Sequence, residues 1–148
     1  VNTNVTRNGD FRDANVSALV WDLNTKKNTY NLSGDLKYSY VNDLEDKKGI
    51  ATTLNFSETS GKYRYSFGGD LYTKDFDNND LGINFETNYF SIYGNANYRI
   101  LNPTKYFNSF RLNYNNFIQF QKETGKIQGN NFNVNVNLEN LLDTYRIS

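Results

Sequence analysis

The sequence predicts an all-β fold, an antiparallel up-and-down transmembrane β-barrel to which these residues contribute about seven strands, and three observations predict it. The first is alternation: from Tyr30 to Tyr40 apolar and polar residues exchange at every step. Strand side chains point to opposite faces in turn, so Tyr30, Leu32, Gly34, Leu36, Tyr38 and Tyr40 share one face and Asn31, Ser33, Asp35, Lys37 and Ser39 the other. The second is length. Strands of globular proteins commonly stop at about five or six residues, whereas crossing a bilayer at a tilt takes about nine to eleven. The third is composition: aromatic residues reach 16%, supplied mainly by 12 Tyr and 11 Phe, while total hydrophobic content is only 37% and the mean hydropathy is −0.76. A barrel with a lipid-facing outside, a polar inside and aromatic girdles needs that mixture.

The elements follow in order. The first strand runs over Asn15 to Leu23, with Leu19, Trp21 and Leu23 against Ala18, Val20 and Asp22, and is the least regular. A turn at Asn24 to Asn28 leads to the strand Tyr30 to Tyr40, and a charged loop, Asn42 to Gly49, follows with no expected core residue. The third strand, Ile50 to Ser57, sets Ile50, Thr52, Leu54 and Phe56 against Ala51, Thr53, Asn55 and Ser57. Its turn, Glu58 to Lys62, carries a glycine suited to a hairpin. The fourth, Tyr63 to Thr73, aligns Tyr63, Tyr65, Phe67, Gly69 and Leu71 against Arg64, Ser66, Gly68, Asp70 and Tyr72. A longer polar connection spans Lys74 to about Thr87. The fifth, Asn88 to Ile100, offers Phe90, Ile92, Gly94, Ala96 and Tyr98 opposite Ser91, Tyr93, Asn95, Asn97 and Arg99, and the only proline, Pro103, lies in the next turn. The sixth, Ser109 to Gln121, alternates through Leu112, Tyr114 and Ile118, with Asn116 interrupting its apolar side and Phe117 its polar side. The seventh, Gln128 to Leu138, alternates Phe132, Val134, Val136 and Leu138 with Asn131, Asn133, Asn135 and Asn137.

The apolar side of these strands holds no Lys, Arg, Asp or Glu, while the opposite side collects Asp35, Lys37, Arg64, Asp70, Arg99 and Arg111. A charge facing lipid near the midplane of a barrel costs about 2 to 4 kcal/mol, and one facing a wet lumen costs little. The six are therefore expected to line a lumen. An antiparallel β-sandwich produces the same alternation around a dry core; strand length and the Tyr residues near strand ends, where a hydroxyl reaches headgroups, favour the barrel. Short turns belong on the periplasmic side and long loops outside, which places Asn42 to Gly49 and Lys74 to Thr87 externally.

Composition also excludes. Sixteen basic and sixteen acidic residues cancel and are scattered, so no basic stripe recommends nucleic acid as a partner. With no cysteine there are no disulfides or thiolate metal sites, and with no histidine the commonest general base and metal ligand are missing. No apolar run approaches the roughly 18 residues of a membrane helix. No cofactor is expected.

Four segments carry a family resemblance: Asn8-Gly-Asp-Phe-Arg-Asp-Ala-Asn-Val16, Tyr30-Asn-Leu-Ser-Gly34, Ser60-Gly-Lys-Tyr-Arg-Tyr65 and Asn79-Asp-Leu-Gly82. With these the chain resembles, over nearly its whole length, the C-terminal outer-membrane β-barrel region of an uncharacterised Gram-negative family that usually carries an N-terminal carbohydrate-binding module of the family-nine type. The resemblance implies location in the bacterial outer membrane and supplies no catalytic residue. The sugar-binding module has no counterpart in these residues, so carbohydrate enters only as a partner of that module.

One motif suggests a metal. Asp75, Asp77, Asn79 and Asp80 space oxygen side chains as a Ca²⁺ loop does, but the glycine and late glutamate of an EF-hand are absent, and a solvated loop with Asx turns has the same composition. The chain's 26 asparagines suit hydrogen bonds to sugars and equally suit a wet lumen. The expected function is a non-enzymatic outer-membrane component, acting as a pore, a receptor or a structural subunit of an envelope assembly. The alternative is the barrel part of an outer-membrane hydrolase or carbohydrate-active protein whose active domain lies on other sequence. Residues 1–148 are expected to form one barrel segment, closed by further strands of the same chain or by a neighbouring subunit, because an open sheet edge in lipid leaves backbone groups unpaired.

Overall fold

Period-two patterning over most of the chain becomes strand over most of the chain. The structure, a computed structural model, describes residues 1–7, 9, 12–79, 86–139 and the backbone of 144–147. Nine strands are present there and no helix: β1 Asn2–Val5, β2 Asp13–Asn24, β3 Tyr30–Asn42, β4 Lys47–Glu58, β5 Tyr63–Tyr72, β6 Tyr89–Ile100, β7 Ser109–Gln121, β8 Ile127–Glu139 and β9 Thr144–Ile147. Eight antiparallel pairings join them into one open sheet in sequence order. No second sheet packs on it, so the sandwich alternative has no counterpart among the described residues.

The seven expected strands correspond to β2 through β8, and two short ones extend the sheet at its edges. β1 and β9 have four residues each, too few for alternation to declare itself. The second difference is the charged loop. Pairing of Tyr40 with Lys48 and Val41 with Lys47 extends the β3–β4 ladder, which reduces the loop to residues 43–46 and makes Gly49 a buried strand residue. That connection is now as short as those at the other end of the sheet, so only 73–88 stands out as a long excursion. β7 and β8 slip register between Gln119 and Phe120, a bulge that re-aims the end of the hairpin.

Register decides which side chains share a face. Across β2–β8 one row reads Leu23, Leu32, Phe56, Phe67, Gly94, Asn116 and Phe132; the adjacent row on the other face reads Asn24, Asn31, Ser57, Ser66, Asn95, Asn115 and Asn133. Apart from Asn116, the first row is free of polar side chains, and the second is polar throughout. What core exists lies on the polar face: Ala14, Val16, Val41 and Ala51 are buried there together with Ser39 and Phe76.

Candidate functional site

The chemistry of this molecule lies in its two faces. On the apolar face Leu54 is 51% and Phe67 57% exposed, and Leu19, Leu23, Leu36, Ile50, Ile92 and Phe132 are exposed as well. Monomeric soluble proteins rarely leave so continuous an apolar surface uncovered. A belt of rings crosses it at the end carrying the 59–62 and 101–108 connections. Tyr30 stacks on Phe56 with centroids 5.9 Å apart, Phe56 meets Phe67 at 5.4 Å, Tyr63 stacks on Tyr98 at 4.7 Å, and Tyr114 meets Phe132 edge-on at 5.5 Å. Such pairs add about 0.5–1.5 kcal/mol each beyond burial. At the other end stand Tyr38 and Tyr40, with the Lys48 ammonium 5.5 Å from the Tyr40 ring.

Between the Tyr30 and Tyr40 rows the apolar face of β2–β8 carries no charged residue; Glu58 pairs with Tyr30 and Lys48 with Tyr40, at the borders. Ten residue steps separate those tyrosines. At about 3.3 Å per residue they lie about 33 Å apart along the strand. Trp21, the single tryptophan, lies across Gly34, where a Cβ would come within 2.6 Å of the indole. A glycine there lets the ring lie flat on the sheet.

The polar face holds all six charges expected on it. Asp35 and Lys37, two apart on β3, form an ion pair of 2.9 Å. Asp70 accepts a hydrogen bond from the Ser91 hydroxyl, 3.0 Å across the β5–β6 ladder. Arg99 stands directly opposite Arg111, Arg64 stands opposite Asn97, and the Arg99 N–H donates to the Lys62 carbonyl at 3.0 Å. Around them run amide hydrogen bonds: Asn95 donates to Ser66 at 2.7 Å, Asn115 to Asn133 at 3.3 Å, and Asn135 to Asn133.

Residues 73–79 of the long connection behave differently from the solvated loop the sequence suggests. Thr73 ties it to β4, its hydroxyl accepting from the Ile50 N–H at 2.8 Å, and Phe76 then folds onto the polar face, where it is 2% exposed. It meets Tyr72 edge-on at 5.6 Å and lies against Gly49, where a Cβ would come within 2.1 Å of the Phe76 backbone. The Asp77 N–H donates to the buried Ser39 hydroxyl at 2.9 Å, and the Asp77 carboxylate pairs with Arg12 at 3.1 Å. Asn79 donates its N–H to the same carboxylate in an Asx turn.

The suggested Ca²⁺ loop reads differently in this light. Asp77 is engaged by Arg12, Asp75 is exposed, and Asp80 lies outside the described residues. Among the described residues no group of three carboxylates comes together. The sequence does not announce the inward fold of Phe76, because its partner Gly49 sits in a segment whose charge reads as loop; a lone aromatic amid Asp and Asn is the available signal.

No helix among the described residues is long and apolar enough to cross a membrane, which says nothing of a β-barrel. Comparison with curated proteins and with solved structures finds no match to this chain. A family match does cover residues 1–145, and the chain therefore belongs to the family described as a domain of unknown function, DUF5916.

Proposed function

We propose that this chain is part of a non-enzymatic outer-membrane β-barrel, a pore, receptor or structural subunit of the cell envelope of a Gram-negative bacterium. The observation that carries the reading is the charge-free apolar face, bordered by tyrosines ten residue steps apart and backed by a face of asparagine, serine and charge; at a barrel's usual tilt of about 40° such a stretch would cover about 25 Å, the height of a barrel's apolar band. Lipid is the partner that surface fits. The open edges at β1 and β9 pair with further strands of the same polypeptide or with a neighbouring subunit, since an edge in lipid would leave several kcal/mol of unpaired backbone groups. A catalytic role has little to draw on, with neither histidine nor cysteine in the sequence.

The test is single-cysteine labelling along β4 of the full parent protein in liposomes. Cysteines at Leu54 and Phe56 are expected to react with a lipid-soluble maleimide and resist a charged one, and those at Thr53 and Asn55 to do the reverse. Equal labelling by the charged reagent at all four positions removes the membrane reading.

A further inference from the structure

We propose that Lys62, Arg64, Arg99 and Arg111 form a binding site for a multiply charged oxyanion, such as a diphosphate, on the polar face at the end carrying the two turns 59–62 and 101–108. Three of them sit side by side on adjacent chain segments, Lys62 bonded through its backbone to Arg99 and Arg99 opposite Arg111. Neighbouring strands lie about 4.8 Å apart, so these backbones span about 10 Å. Arg64 adds a fourth cation two residues along β5 from Lys62.

Like charges directly opposite each other on a ladder destabilise it, and here the imbalance is not relieved from within. Among the described residues none of the four has an ion-pair partner. Glu139, the acid on the polar face nearest in register, accepts from the Ser109 hydroxyl instead. The Arg64 Nε–H is shielded from solvent and meets no acceptor. A cleft of about 380 Å³ opens beside Lys62 and Arg99, walled by Gly61 and Pro103 and bordered by Thr104. Guanidinium groups hold oxyanions through paired N–H donors, and a multiply charged ligand would engage several at once.

The site needs only the polar face; its position in a lumen rests on the membrane reading. Isothermal titration of inorganic pyrophosphate into the full parent protein, in uncharged detergent at low salt, tests it. Saturable binding is expected, weakened at least tenfold by Arg99→Gln/Arg111→Gln, less by Arg99→Lys/Arg111→Lys, and unchanged by Lys37→Gln, with circular dichroism confirming that each variant keeps its strands. No binding to the wild type, or equal binding to the double glutamine variant, overturns the site and means that the cations are neutralised inside the whole protein. Displacement of pyrophosphate by an anionic phospholipid assigns the site to a headgroup; persistence assigns it to a free solute. Failure of the β4 labelling pattern would remove the lumen and leave this titration intact.

Discussion

Gly49 shows how much one missing side chain decides. Its pairing with Ser39 places it under the Phe76 backbone, at a separation no Cβ tolerates, so the whole inward fold of 73–79 depends on a hydrogen atom at that position. Gly49→Val is expected to push the segment off the sheet at a cost of about 1–3 kcal/mol, the range of overpacking in a filled site. Limited proteolysis checks it: the variant should be cut within 73–79 at a protease level that spares the wild type, with its strand content unchanged. The Arg12–Asp77 pair contributes less, because it is partly exposed to water and such pairs yield about 1 kcal/mol or less.

Within an element, parity is the controlling variable. Leu54 and Asn55 are neighbours on β4 yet lie on opposite faces of the sheet. Leu54→Arg is expected to destabilise the parent protein in liposomes by about 2 to 4 kcal/mol, and Asn55→Arg by about 0.5 kcal/mol or less, as for a solvated surface change. Urea unfolding followed by fluorescence measures both, and equal costs would sink the assignment of faces. This parity is legible in the sequence because β3–β8 are long and their alternation is nearly unbroken; the strand starts it implies at Tyr30 and Ser109 are the ones observed. Where alternation is short, legibility fails, as in Asn2–Val5. It fails too where charge masks pairing: Lys47 and Lys48 read as loop, although a ladder accepts lysine at its solvated end. The opposition of Arg99 to Arg111 needed the register, which spacing in one strand does not contain. The burial of Phe76 needed three strands brought side by side.

For the molecule as a whole, the edges matter most. β1 and β9 are each paired on one side only, and each exposes a row of backbone donors and acceptors. A photo-crosslinking residue at Asn4 in β1 of the full parent protein, irradiated in its native membrane, is expected to join to a strand. A crosslink without gain in mass identifies further strands of the same polypeptide, one with gain identifies a neighbouring subunit, and no crosslink in an inserted protein would contradict a covered edge.

Every strand of this sheet pairs with its sequence neighbours and with no other, and that simple order has a mechanical consequence. Among the described residues no strand is threaded behind another, and only 73–79 lies across a face, so the strands can be laid down or removed from either end like a zip, one hairpin at a time. On the membrane reading proposed above, a machine that inserts it need hold open only the edge just formed. A machine that extracts it by one terminus meets the same modest resistance repeatedly, at each successive ladder, instead of one large barrier.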